Sequence, residues 1–281
     1  MPSGEEGEFF IGGVYSSVLD SNKRRRLTKH HGKLRRYHPL LAKFPASGYP
    51  ALFITPFSHK NTIMQTVTIP APSSKSLSHR AIMAASLASG TSHLSRILES
   101  DDLARTREAF AALGVKFTRT GDGCYTVTGI DGKITSGSGQ APLSINVGES
   151  GTTCRLITAI LAAGQGSFRI HGSGRMHERP LGELAEVLRT LGAGISYEQN
   201  EFCPPIIIRA DGLRNAPAVD CDENSCRISC DESSQYISGL LLAAPLGDGL
   251  TVVLGGKQAV SWPYVSLTLN VLEDFGIRFS V

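Results

Sequence analysis

The sequence has no apolar run long enough for a membrane-spanning helix, no Gly-X-Y period among its 30 glycines and no Gly-x-Gly-x-x-Gly fingerprint. The first absence excludes a helical membrane span, the second a collagen-like chain, and the third a dinucleotide site of the usual kind. Gly172-Ser173-Gly174 lacks the fingerprint's spacing. Nor do the six cysteines make a disulfide framework, since Cys124, Cys154 and Cys203 are scattered. Cys221, Cys226 and Cys230 lie close together, but they lack a fourth ligand and no His is near in sequence. Free thiols in a reducing cytoplasm are therefore expected rather than zinc. A 41% share of hydrophobic residues is enough for a sizeable core.

Neither sign of charge dominates the whole chain, with 28 Lys and Arg against 25 Asp and Glu, but the distribution is uneven. Residues 1–63 hold ten basic and four acidic side chains, whereas residues 64–281 hold eighteen and twenty-one. The basic balance belongs to one end, which argues against reading the whole chain as a nucleic-acid binder. That end carries Lys23-Arg24-Arg25-Arg26, Lys33 and Arg35-Arg36 with no lasting hydrophobic period. Three readings compete for it: a nucleic-acid arm, an organelle transit peptide, or an extension outside the folded protein. Early Glu5, Glu6 and Glu8 weigh against a transit peptide and against a secretory leader. The third reading is favoured, because organisation begins at Met64 with the strand-like run Gln65–Pro70. The expected domains are a disordered or non-native extension over 1–63 and a folded region over 64–281.

From Met64 onward the chain repeats itself. Helix-like stretches of small apolar residues occupy Ser76–Ala88, Thr152–Ala163 and Ser234–Ala244, each opened by Ser, Thr or Gly. Short strand-like runs follow at Ser92–Leu98, Ser167–His171 and Leu250–Leu254. Amphipathic helices come next, at Asp101–Leu113, Pro180–Leu191 and Pro263–Phe275. Each should close on a glycine cap, at Gly114, Gly192 and Gly276, 78 and 84 residues apart. Extended runs resume at Val115–Arg119 and Tyr125–Ile130, then at Ile195–Glu198 and Ile206–Arg209. The third unit has only Ile277–Val281, one strand short of the pattern, so truncation is expected.

Helices with so little bulk suit a crowded centre, and their hydroxyl-rich N-termini suit anions. If the units pack around a pseudo-threefold axis, those ends open on one face and Lys75, Arg80, Arg155 and Arg179 join them. A small, multiply anionic ligand is expected, with phosphate and carboxylate the obvious groups for Arg.

The residues at these ends carry a family resemblance. Pro72-Ser73-Ser74-Lys75-Ser76-Leu77-Ser78-His79-Arg80-Ala81 resembles a segment of the 5-enolpyruvylshikimate-3-phosphate (EPSP) synthases, as does the Gly148–Arg155 loop. Arg175-Met176-His177-Glu178-Arg179-Pro180, Ser233-Ser234-Gln235-Tyr236 and Val260-Ser261-Trp262-Pro263-Tyr264 resemble three further elements, all in family order. Jointly the five are highly specific.

The resemblance implies an α/β fold: an enolpyruvyl transferase-type lobe of three βαβαββ units around a pseudo-threefold axis, the third incomplete and a second lobe largely missing. It implies transfer of the enolpyruvyl group of phosphoenolpyruvate to the 5-hydroxyl of shikimate 3-phosphate, with release of phosphate, in aromatic amino-acid biosynthesis. The implied enzyme is cytoplasmic, monomeric when intact, and uses no organic cofactor and no metal; no nucleic-acid or membrane partner is expected. Carried over by position, Lys75 would touch both substrates, and Ser76 and Arg80 would hold shikimate 3-phosphate. Ser233, Ser234 and Ser261 would surround its phosphate, with Gln235 and Tyr264 beside the ring. Gly151 and Arg179 would bind phosphoenolpyruvate, with Thr152 in the same turn and Arg155 supporting it. Against these stand plainer readings: Ser76, Thr152 and Ser234 as N-caps, and Arg80 or Arg155 in a structural ion pair.

Two substitutions depart from the pattern, Glu149 where the family usually has Asn, and Trp262 where Lys is common. A carboxylate at 149 would repel phosphoenolpyruvate unless it is paired or turned away. The acid/base groups come from the family's second lobe, so they are expected beyond Val281 and this chain alone should be inactive. Two alternatives remain: a non-catalytic anion-binding lobe, and the related transferase acting on UDP-N-acetylglucosamine. The latter depends on a reactive loop Cys and lacks the Ser-Ser-Gln and Ser-x-Pro-Tyr pair.

Overall fold

The computed structural model describes residues 7–10, 15–18, 72–136, 141–213, 225–229, 232–255 and 261–280. The chain divides into two units, residues 1–19 with 72–281 and residues 20–71, and every described residue belongs to the first. The expected opening strand at Gln65–Pro70 lies outside the described residues.

Two short strands, β1 (Gly7–Phe10) and β2 (Tyr15–Val18), precede helix α1 (Lys75–Leu87). They are followed by β3 (Thr91–Ser95), α2 (Asp101–Ala112), β4 (Lys116–Gly121) and β5 (Cys124–Thr128). The strands form one sheet in the order β2-β1-β3-β5-β4, in which β1 runs parallel to β3 and the other neighbours are antiparallel. No element was expected at β1 or β2, because runs of four residues are too short to express a period.

A second set repeats this order. It comprises β6 (Leu143–Asn146), α3 (Gly151–Ala162), β7 (Gln165–His171), α4 (Gly182–Thr190), β8 (Gly194–Tyr197) and β9 (Ile206–Asp211). The sheet order is β6-β7-β9-β8, again with one parallel pair followed by antiparallel ones. The third set has β10 (Ser225–Ser229), α5 (Ser234–Ala243), β11 (Thr251–Gly255) and α6 (Trp262–Asp274). Here β10 and β11 pair in parallel.

The sequence explains the two kinds of helix. In α3 every residue but Thr152 and Arg155 is buried, which its small and aliphatic residues permit on all sides. In α4 only Leu184, Ala185, Val187 and Leu188 are buried, the single stripe of a half-exposed helix. Gly239 of α5 allows close approach to α3, since a Cβ there would lie 3.1 Å from the Arg155 carbonyl oxygen and 3.2 Å from Ala159 Cβ. Along β9, Ile206, Ile208 and Ala210 point inward and alternate with exposed or half-buried neighbours. Each fully buried Ile, Leu or Phe of this core stabilises the fold by roughly 1.5–3 kcal/mol.

Gly114, Gly192 and Gly276 follow α2, α4 and α6 with φ of 98°, 96° and 79°, the left-handed backbone expected of these caps. Three expectations need correction. Helix α4 starts at Gly182 rather than Pro180, because a 3-10 turn over Gly174–Glu178 occupies the approach. The strands β6 and β10, which open the second and third sets, were not anticipated, because their alternation runs for only four and five residues. Residues 277–280 form no strand, for no neighbouring ladder engages them among the described residues.

Candidate anion-binding site at the helix N-termini

The three small-residue helices are capped one or two residues ahead of the motif hydroxyls. Ser74 Oγ accepts from the Leu77 N–H, Ser150 Oγ from Thr153, and Ser233 Oγ from Gln235. The reading of Ser76, Thr152 and Ser234 as N-caps is therefore corrected. Their neighbours do the capping, which leaves these residues inside the first turn, where backbone N–H groups have no intrahelical acceptor.

Three groups of side chains are built around those turns. In the first, the Arg179 guanidinium occupies the space over Gly151 that a side chain would need; a Cβ there would also lie 3.2 Å from Arg179 Cζ. The 3-10 turn Gly174–Glu178 delivers Arg179 to this position. In the second, Gln235 bridges α5 to α3. Its amide nitrogen donates to Thr152 Oγ1 at 3.0 Å, and its carbonyl oxygen accepts from Arg155 Nη1 at 3.0 Å. The Arg155 guanidinium also lies 5.7 Å from the centre of the Tyr236 ring, and its Nε is buried without a partner. The alternative of a structural ion pair does not hold for Arg155, which is held by an amide.

The third group surrounds Arg80, which is 1% exposed. Its Nε donates to Thr268 Oγ1 at 2.6 Å, Nη1 to the Ser76 carbonyl at 2.9 Å and Nη2 to Ser238 Oγ at 2.9 Å. Ser238 in turn donates to the Ser234 carbonyl, and Thr268 to the Tyr264 carbonyl. One buried cation thus ties α1 to the first turns of α5 and α6. Its partners are neutral oxygens and not a carboxylate, so the ion-pair alternative is corrected here too. Burial lowers its pKa to about 10, opposed by the nearby Tyr264. Such a site favours an anion in principle, although three of the five N–H donors of a guanidinium are already engaged.

Lys75 is half-exposed at the start of α1 and forms an ion pair with Asp102 in the first turn of α2. Ser261 precedes α6 in the left-handed region, φ 62°, and its side chain makes no capping bond. Tyr264 is 45% exposed. Glu149 is exposed and packs over Gly174, in the space a side chain on that glycine would fill. Trp262 opens α6 and lines a groove of about 540 Å³ with Leu254, Val265 and Phe279.

Sequence reasoning missed Asp102, Ser238 and Thr268. The signal for the last two was a hydroxyl four residues after a motif residue within an apolar helix; Asp102 became visible only once α2 was packed beside α1. Cys154, buried in α3, has its thiol pushed up to about 12 by burial, so it is no nucleophile. Among the described residues no group of three His, Cys, Asp or Glu side chains is arranged to hold a metal ion, and no helix is long and apolar enough to cross a membrane. Cys221 and Cys230 lie outside the described residues.

The repeated α/β order, with its helix N-termini and gathered arginines, defines an enolpyruvyl transferase-type fold. A solved structure of EPSP synthase from Acinetobacter baumannii superposes with a TM-score of 0.57 and 27% identity, covering 68% of this chain and 40% of that one. The EPSP synthase family model, described as 3-phosphoshikimate 1-carboxyvinyltransferase, matches residues 59–281, and the chain belongs to that family. The 3-phosphoshikimate 1-carboxyvinyltransferase of Paraburkholderia phymatum is 40% identical over 214 residues, 75% of this chain and 46% of that protein. That of Burkholderia ambifaria is 40% identical over 213 residues, with the same coverage. The chain thus spans a little under half the length of these curated relatives.

Proposed function

We propose that residues 64–281 form one lobe of a shikimate-pathway enolpyruvyl transferase, three βαβαββ units around a pseudo-threefold axis with the third less complete. Residues 1–63 precede it, and their strands β1 and β2 extend its first sheet. The lobe binds shikimate 3-phosphate and phosphoenolpyruvate, and the whole enzyme is cytoplasmic and monomeric. The observation that carries this reading is the Arg179 guanidinium over Gly151 at the first turn of α3, a turn joined to α5 through Gln235.

The chemistry follows from that arrangement. The phosphate and carboxylate of phosphoenolpyruvate take paired N–H donors from Arg179 and the amides of the α3 turn. Lys75 exchanges Asp102 for substrate oxygens and so faces both ligands. Ser233, Ser234 and Ser261 supply the first turns of α5 and α6 to the phosphate of shikimate 3-phosphate. Ser76 holds the same substrate through α1, which the buried Arg80 ties to α5 and α6 from behind, and Gln235 and Tyr264 flank its ring. The 5-hydroxyl oxygen then bonds to C2 of phosphoenolpyruvate, giving up its proton to a base, as C3 gains a proton from an acid. Loss of phosphate from C2 and of a proton from C3 restores the vinyl group. Those proton transfers need positioned acids and bases, which belong to a second lobe.

A second reading, a lobe that binds anions without turning them over, is supported by the donors gathered at the first turns of α1, α3 and α5, which bind an anion without supplying an acid or base. One experiment separates the two: phosphate release from phosphoenolpyruvate with shikimate 3-phosphate, measured beside calorimetric binding of each. We expect no turnover by this chain and measurable binding of shikimate 3-phosphate. Turnover near that of an intact relative would overturn the need for a second lobe; absence of binding for both ligands would overturn the site.

A further inference from the structure

Four buried side chains on three helices make a single hydrogen-bonded chain that the site described above does not use. His79 Nδ1 lies 2.8 Å from Thr106 Oγ1, which lies 2.8 Å from Thr153 Oγ1, which lies 2.7 Å from Ser150 Oγ. His79, Thr106 and Thr153 are wholly buried, and Ser150 is 1% exposed. The far ring nitrogen, His79 Nε2, is buried without a partner. Ser150 is the N-cap of α3, the residue before Gly151.

Counting protons fixes the direction of this chain. Thr106 has one hydroxyl proton and also faces the Asp102 carbonyl at 3.1 Å, which can only accept. If Thr106 donates there, it accepts from both a His79 Nδ1–H and the Thr153 hydroxyl. Thr153 then accepts from Ser150, whose lone pairs remain for the Thr153 N–H at 3.2 Å. The only unmet group is the Nε2 lone pair. The opposite order puts the ring proton on Nε2 and buries an N–H with no acceptor, the less tolerated defect. Thr153 also approaches the Asp102 carbonyl, but at 3.3 Å, the longest contact of the set.

We infer that His79 is held as the Nδ1–H tautomer and, through Thr106 and Thr153, sets the donor direction of Ser150. His79 and Thr106 are thereby positioning residues for the Ser150–Gly151–Thr152 turn. The Ser150 proton is committed inward, so the hydroxyl stays a cap acceptor and the backbone amides of the turn face the anion. Burial keeps the ring neutral, with its pKa lowered to about 4 against an opposing effect of Asp102 and supporting effects of Lys75 and Arg80. The significance for phosphoenolpyruvate rests on the functional reading above; the tautomer and the cap do not.

The test is nitrogen NMR on the full chain labelled at histidine, with amide exchange at Thr153 and calorimetry with phosphoenolpyruvate. The expected spectrum has His79 protonated on Nδ1 and bare on Nε2 at neutral pH. Thr106→Val should change that signature and speed Thr153 exchange about tenfold, the cost of one hydrogen-bonded cap partner. Thr106→Ser should restore both. An Nε2–H spectrum in the wild type, or unchanged Thr153 exchange in Thr106→Val, overturns the inference. If Thr106→Val does not fold, the wild-type spectrum and exchange in Thr106→Ser decide it. Phosphoenolpyruvate bound equally by wild type and Thr106→Val would overturn the positioning role, whereas a wild type that binds none overturns only the functional reading.

Discussion

The Arg179 guanidinium sits in the space that Gly151 leaves open, so the absence of one side chain determines where the cation of another stands. Gly151 is the first residue of α3, and Arg179 directly follows the 3-10 turn Gly174–Glu178. A side chain at 151 would meet the end of a flexible arginine rather than rigid backbone.

That geometry predicts a clean separation of binding from stability. Gly151→Ala should displace Arg179 and weaken phosphoenolpyruvate binding by about tenfold, ~1.4 kcal/mol. The melting temperature should hardly move, because alanine suits a helix and the guanidinium can swing aside. Calorimetry beside thermal denaturation checks this; equal losses in both would mean that the glycine serves packing.

Gln235 gives one hydrogen bond and takes another, and the two can be parted. Gln235→Glu retains an acceptor for Arg155 but cannot donate to Thr152 when ionised, and it adds a negative charge at the site. We expect anion affinity to drop at least about tenfold. Gln235→Met, which has the length but neither polar group, should lose less. A Glu variant that binds as tightly as the wild type would remove Gln235 from the site.

Arg80 should behave as a structural cation whose loss is costly. Arg80→Ala leaves a cavity and strips partners from Ser238 and Thr268, at about 3–5 kcal/mol. Denaturant unfolding measures this directly. A loss below about 1 kcal/mol would mean that the buried cation is no more than tolerated.

His79 makes the fold sensitive to acid. Burial lowers its pKa from 6.5 to about 4, so between these values the unfolded chain takes up a proton that the native one refuses. Stability is unaffected above pH 6.5 and falls as pH drops toward 4, by up to about 3 kcal/mol from this residue. His79→Gln should flatten that part of the pH profile in equilibrium unfolding. An unchanged slope would assign the acid sensitivity elsewhere.

Among the described residues, β11 has a partner only in β10, and Leu254 and Trp262 beside it are 40% and 38% exposed. An open strand edge next to apolar side chains invites self-association. Leu254→Lys should lower the fraction of oligomer seen in sedimentation without altering the monomer's melting. Unchanged sedimentation would show that this edge is not adhesive.

Most of the helices were legible in the sequence, because small-residue and amphipathic patterns, glycine caps and hydroxyl starts agree at each position. The ends of α2 at Asp101 and α5 at Ser234 match their expected starts, and the caps at Gly114, Gly192 and Gly276 are where the pattern put them. Short strands were less legible, since β6 and β10 alternate over only four and five residues and pair with strands further along the chain. Among the site residues, Gly151 with Arg179 and Gln235 with Arg155 and Thr152 are brought together, whereas Ser261 and Tyr264 stay largely exposed at the start of α6.

The sequence by itself determined the repeat, the two kinds of helix and the family, since each is written in local spacing and in the order of short motifs. Only the tertiary structure decided which polar groups meet. That Arg80 is satisfied by Thr268, 188 residues away, and that His79 reaches Ser150 through two threonines, depends on how α1, α2, α3, α5 and α6 pack. Local propensity carries no record of such distant partners. Burial supplies the reason they must exist, for a polar group taken from water has to find its partner inside the protein.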